Sequence, residues 1–193
     1  MLITLQTPFT YQEEIKKSRF IAMAAPAHDV DEAMSFLDSN RQPQANHNCW
    51  AYKIGDLYRF SDDGEPGGTA GKPIFNAIES KSIDQAVILV IRYFGGIKLG
   101  TGGLVRAYGG VAAVCLDKAD KIEIVHRKQV TLHLGFDQTG AVYSLIERYG
   151  AEKTEETYSN QGISISLTLK ENEIPSFSEN LSDLCKGKVD LVL

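Results

Sequence analysis

Cysteine is scarce in this sequence. Cys49, Cys115 and Cys185 lie far apart, none of them sits in a C-x-x-C pair, and their number is odd. That pattern argues against a disulfide framework or a zinc ribbon and predicts small buried thiols in a reducing compartment. Long apolar runs are missing too: none nears the ~20 residues that a helix needs to span a bilayer. The opening Met1-Leu-Ile-Thr-Leu-Gln-Thr7 lacks the basic start and apolar stretch of a secretory signal. The expectation is a cytoplasmic protein with no membrane partner.

Positive charge is also short. There are 20 basic and 25 acidic residues, for a formal net charge of −5. Divided after His126, the first part carries 13 basic and 15 acidic residues, and the remainder is acidic as well. Any contact with nucleic acid must therefore come from a local patch rather than from bulk attraction. His28, His126 and His133 stand at unrelated spacings, so no metal site is expected. His47 and Cys49 share a strand face without a third orienting group, which favours packing or a hydrogen bond over a thiol site.

What the chain does have is glycine, concentrated in two runs. One is Ser61-Asp-Asp-Gly-Glu-Pro-Gly-Gly-Thr-Ala-Gly-Lys-Pro73; the other is Arg92-Tyr-Phe-Gly-Gly-Ile-Lys-Leu-Gly-Thr-Gly-Gly-Leu-Val-Arg106. Glycine lets other groups approach the backbone closely, at an entropic cost that a packing role does not require. Bare amides interleaved with Lys72, Arg92, Lys98 and Arg106 point to an anion site. It is not one of the standard nucleotide loops. Gly100-Thr-Gly-Gly-Leu-Val105 lacks the last glycine of G-x-G-x-x-G, and around Gly71-Lys72 the outer positions of the phosphate loop are Pro66 and Pro73. No cofactor is called for.

With 193 residues, 43% hydrophobic and 23% charged, the chain can build one sizeable domain or two small ones. Arg19 to Ala25 reads as a strand and His28 to Asn40 as an amphipathic helix, with Asp29 or Asp31 near its start. Cys49 to Ile54 and Leu57 to Phe60 read as a hairpin, and a short helix starts near Pro73. The β-branched run within Gln85 to Phe94 reads as a buried strand, followed by a helix over Leu99 to Lys118 whose N-terminus is the second glycine turn. This order predicts a mixed sheet with helices on one side, an α+β layer. Phe94 and Tyr108 are expected in the core. After a break at His126-Arg-Lys128 come a strand to Phe136, a helix from Gln138 to Tyr149, strands over Ala151 to Tyr158 and Ile163 to Leu169, a helix from Ile174 to Cys185 and a last strand to Leu193. That is βαββαβ, the ferredoxin-like plan. Two domains are expected, 1–126 and 127–193, with no catalytic pattern in the second.

Four blocks carry a resemblance: Glu13-Glu-Ile-Lys-Lys-Ser-Arg-Phe-Ile21, His47-Asn-Cys-Trp-Ala-Tyr52, the Ser61 to Pro73 run, and Arg92-Tyr-Phe-Gly-Gly96 through Ala107-Tyr-Gly-Gly110. In them the chain resembles the IMPACT family, in its bacterial YigZ-like branch. The resemblance implies an N-terminal α+β domain of the type seen in domain IV of elongation factor G. It also implies a ferredoxin-like C-terminal domain similar to domain V of that factor. Eukaryotic relatives carry an extra N-terminal module that competes for a regulator of a translation-factor kinase; that partner is not carried over to this chain.

Three functions stay open. The first is a translation-linked binding protein, associated with RNA or the ribosome, using Lys72, Arg92, Lys98 and Arg106 with Gly95, Gly96, Thr101, Gly102 and Gly103 around a phosphate. The second is an enzyme acting on a phosphate- or carboxylate-bearing small molecule, with Asp62, Asp63 and Glu65 facing those cations. The third is an adaptor for a protein partner. Asp-Asp-Gly and Glu-Pro-Gly are also ordinary loop formers. A guanidinium at Arg92, directly after an apolar strand, is expected to be partly buried against one of the three carboxylates.

Overall fold

The computed structural model describes residues 2–187 and 189–192. Contacts divide the chain into two compact units, 1–124 and 125–193.

The first unit is built on a five-stranded sheet. Its strands are β2 (Phe9–Ile15), β3 (Ser18–Pro26), β4 (His47–Ile54), β5 (Leu57–Ser61) and β6 (Ala86–Tyr93), in the order β2-β3-β6-β4-β5. Short β1 (Ile3–Leu5) and β7 (Lys121–Glu123) pair in a separate ladder. The helices are α1 (Val30–Asn40), α2 (Gly71–Glu79) and α3 (Thr101–Lys118).

Two expectations about this sheet need correction. It is not mixed: every neighbouring pair is antiparallel. Nor do the helices share one side. Phe20, Ala22, Cys49, Ile88 and Val90 pack with α2 and α3, whereas Tyr52, Val87, Leu89 and Ile91 pack with Ala33 and Leu37 of α1. The unbroken apolar run Ala86 to Ile91 carries the reason, because a strand without polar alternation needs cover on both faces. β6 is the central strand, hydrogen-bonded to β3 and β4.

Local chemistry sets the element ends. Asp29 caps α1, its Oδ1 accepting from the Glu32 amide at 2.8 Å. β2 and β3 are joined by Lys16 and Lys17, with φ of 49° and 64°. Both central residues at positive φ make a type I′ turn, which usually takes Asn and Gly.

The second unit contains β8 (Arg127–Leu134), α4 (Thr139–Arg148), β9 (Glu152–Ser159), β10 (Gly162–Lys170), α5 (Ile174–Cys185) and β11 (Asp190–Val192). The sheet order is β11-β8-β10-β9, all antiparallel. Alternation along β10 buries Ile163, Ile165, Leu167 and Leu169 against Val142, Ile146, Phe177 and Leu181 of the two helices. The opposite face presents Thr131, His133, Ser164 and Ser166, a ladder of small polar groups. Among the described residues, no helix is long and apolar enough to cross a membrane.

Candidate functional site

The two glycine-bearing segments meet at one pocket of about 450 Å³ in the first unit. Glu65 and Pro66 come from the first run, and Phe94, Lys98 and Thr101 from the second. Arg92 at the end of β6 and His47 at the start of β4 are cross-strand partners and complete the floor.

Glycine is required at specific points of this assembly. A Cβ on Gly95 would lie 1.8 Å from the Lys17 carbonyl oxygen, so only glycine lets the β2–β3 turn dock on the second run. A Cβ on Gly71 would lie 2.8 Å from the Ser61 backbone, where α2 begins against the end of β5. Gly100, with φ of 75°, is the N-cap residue of α3 and offers no side-chain cap, so the first-turn amides of this 18-residue helix are left open.

The three acidic residues have separate roles. Asp62 holds its own loop: Oδ1 accepts from the amides of Ala70 at 2.9 Å and Gly71 at 2.8 Å, and Oδ2 accepts from Gly68 at 2.8 Å. Burial pushes this carboxyl up, but the three amides outweigh it and hold it below the usual carboxylate range. Asp63 accepts from the Asn48 amide through Oδ2. Only Glu65 lines the pocket, and it is buried. Its Oε1 accepts from Arg92 Nη1 and from the Tyr108 hydroxyl at 2.8 Å.

The cations are likewise divided. The Arg92 side chain is 7% exposed, and its guanidinium carbon is 5.6 Å from the centroids of both Phe20 and Phe94. Its Nε is buried with no hydrogen-bond partner. Lys98 is an exposed pocket residue beside Thr101. Lys72 is not brought to the pocket; its Nζ lies 4.5 Å from the centroid of Phe75. Arg106 and Gly103 line a second hollow of about 210 Å³ with Lys16 and Leu99. Gly102 occupies the first turn of α3, and Gly96, with φ of 86°, shapes the turn before it.

His47, Asn46 and Phe94 also line the pocket. Phe94, expected in the core, is 46% exposed, whereas Tyr108 is fully buried. Strand β6 ends at Tyr93, so Phe94 lies just outside the periodicity that buries its predecessors. His47 Nδ1 donates to the Asp63 carbonyl at 2.8 Å, which leaves Nε2 facing Glu65 Oε1 at 3.7 Å. Cys49 does not join it as a thiol site. Its Sγ is buried and donates to the Asp62 carbonyl at 3.0 Å, and burial pushes the thiol up to about 12.

A hollow of similar size, about 420 Å³, lies between α4 and α5 in the second unit. Its charged residues Arg148 and Asp183 are exposed, with no buried ion pair beneath it among the described residues.

Fold and pocket together define a two-unit α+β protein whose glycine-rich segments close around a buried ion pair. Residues 16–116 match the family model described as the Impact N-terminal domain, and residues 132–188 match that of a domain of unknown function. An IMPACT family member of Thermus thermophilus is 48% identical over 176 residues, spanning 91% of this chain and 97% of its own. The IMPACT family member YigZ of Escherichia coli is 35% identical over 192 residues, spanning 96% and 94%. A crystal structure of a hypothetical protein, 34% identical, superposes with a TM-score of 0.69 over 99% of this chain and 96% of its own. The chain belongs to the IMPACT family.

Proposed function

We propose that this protein is a translation-linked, RNA- or ribosome-associated binding protein of the cytoplasm, and that the pocket of its first unit holds an RNA phosphate. One observation carries the reading: a buried guanidinium, Arg92, with an unpartnered Nε, in a pocket that also receives the uncapped N-terminus of α3. An anion there meets open amides, the helix dipole and Lys98, while exposed Phe94 offers a ring on which an unstacked base can lie. The Arg92–Glu65 pair is neutral as a unit, so Lys98 and the helix end give the pocket its positive sign.

Residues 1–126 are assigned as the IMPACT-type domain akin to domain IV of elongation factor G, and 127–193 as a ferredoxin-like domain akin to its domain V. The βαββαβ order and the β11-β8-β10-β9 sheet support the second assignment. The polar sheet face of the second unit offers the hydroxyls of Thr131, Ser164 and Ser166 and one ring, the His133 imidazole, which is tied to Ser164 Oγ. The pairing of Lys98 with exposed Phe94 favours the first unit as the RNA-binding one.

Co-sedimentation with ribosomes from lysate, with and without nuclease, tests this function. Nuclease-sensitive association supports RNA binding; nuclease-resistant association through a protein alone would assign the chain to the adaptor class instead.

A second reading, an enzyme acting on a phosphate-bearing small molecule, rests on His47. Its Nδ1 is fixed by a carbonyl and its Nε2 is presented to the pocket beside Glu65, as a general base requires. Turnover of a phosphate ester by the wild type, lost in His47→Gln, is its test.

A further inference from the structure

The hollow beside Arg106 lies against the same helical turn as the larger pocket. Leu99 lines both, with Thr101 and Leu104 facing the larger and Gly103 and Ala107 the smaller. The smaller one is edged by Lys16, from the β2–β3 turn, and by Arg106. That turn is fixed to the second glycine run by the close approach of Gly95 to the Lys17 carbonyl and by the Gly95 amide, which donates to Ser18 Oγ at 3.2 Å. Among the described residues, Lys16, Lys17, Lys98 and Arg106 take part in no ion pair. In a chain of net charge −5, Lys16 and Arg106 thus line the smaller hollow and Lys98 the larger, with Leu99 between them and Lys17 next to Lys16 in the turn.

We infer that Lys16, Lys17 and Arg106 form a second phosphate subsite, so that the ligand is a single-stranded RNA segment with successive phosphates and not a mononucleotide. The inference rests on the reading of the larger pocket as an RNA phosphate site and adds the strand's path to it. One phosphate sits at Lys98 and the α3 amides, and another lies across the turn at Lys16 and Arg106. A helix with its side chains is ~10 Å across. A strand carrying a phosphate at every nucleotide bridges that width, and a ligand with one phosphate does not. The two hollows also explain why the dilysine turn is held against the glycine run: its charge is delivered to the side of α3 that the larger pocket leaves unserved.

The test uses the full chain with two probes, an octauridylate and uridine 5′-monophosphate, each titrated by calorimetry at several salt concentrations. The double variant Lys16→Asn with Lys17→Gly removes both charges and supplies the residues that a type I′ turn prefers, so the hairpin is kept. Arg106→Ala is the second variant, on an exposed face of α3. The expected result is a loss of about fivefold or more in octauridylate affinity for each variant. The slope of log affinity against log salt shrinks by ~0.7 for each phosphate no longer neutralised, and binding of the monophosphate stays within about twofold of the wild type. If Lys98→Ala weakens octauridylate and the two new variants do not, the second subsite is wrong and the larger pocket stands. If Lys98→Ala also leaves it unchanged, or the wild type binds no octauridylate, both fall. Equal competition by an acidic peptide would likewise overturn the assignment of the strand as RNA.

Discussion

Glu65 and Arg92, one from each glycine-bearing segment, form a buried ion pair to which Tyr108 of α3 adds a hydrogen bond from its hydroxyl. The pair locks the first glycine loop to the end of the central strand and to the helix behind both. Glu65 and Arg92 side chains are 4% and 7% exposed, so neither charge is compensated by water if its partner goes. Arg92→Met is expected to destabilise the protein by about 3–5 kcal/mol, read by urea unfolding. Glu65→Leu added to Arg92→Met should recover much of that loss, less the cost of the Tyr108 hydroxyl left unpaired. Additive losses in the double variant would show that the pair is not the dominant interaction of either residue.

The carboxyl of Asp62 carries a pH dependence whose sign follows from its environment. Its folded-state value is held below the unfolded one by the amides of Gly68, Gly71 and Ala70. Its stabilisation is therefore complete above the unfolded value, ~3.9, and is lost as pH falls through the lower folded value. Asp62→Asn should cost roughly 1–2 kcal/mol at pH 7 and flatten the part of the acid unfolding curve below pH ~4. An unchanged acid limb would contradict this role.

Much of the fold is legible in the sequence because its signals are local. The apolar run ending at Ile91, the helical spacing after Gly100 and the alternation along β10 are dictated by burial, and the corresponding elements lie within a few residues of the expected bounds. Strand β2 is not legible in the same way. Phe9–Ile15 is an edge strand whose alternation of Phe9, Tyr11 and Ile15 is broken by Glu13 on the same face, and its turn uses two lysines where Asn-Gly would announce a hairpin. Without β2, nothing in the sequence brings Lys16 and Lys17 to the site. The acidic residues show a second limit: Asp62, Asp63 and Glu65 look alike in sequence, and only the direction of each side chain separates a loop brace from a pocket wall. Lys72 adjoins a glycine run in sequence yet packs on Phe75, away from the pocket that run helps form.

Gly95→Ala should be among the most damaging single-methyl additions in the chain. The added carbon would fall 1.8 Å from the Lys17 carbonyl, backbone against backbone, and the β2–β3 turn would have to lift. A loss of roughly 3 kcal/mol or more in unfolding free energy is expected. Gly110→Ala, with nothing within 4 Å of its added carbon and a helical position, should be neutral or slightly stabilising.

Cys49 should resist alkylation in the folded protein. Burial and the nearby carboxylates push its thiol up to about 12, so almost no thiolate exists at pH ~8. Iodoacetamide followed by mass spectrometry of the intact chain should show Cys49 modified only after unfolding in urea. Rapid labelling under native conditions would reopen a thiol role beside His47.

Whether the pocket of the first unit holds an RNA phosphate is decided by the affinity of Lys98→Ala for a fluorescent single-stranded RNA across a salt series. Lys98 is exposed and in no ion pair among the described residues, so the fold should survive, as circular dichroism would verify. Weaker binding is expected, with a slope of log affinity against log salt smaller by ~0.7, as one phosphate fewer is neutralised on a single strand. Unchanged affinity and slope, in a protein that binds the RNA, would place the binding surface elsewhere and contradict the phosphate assignment.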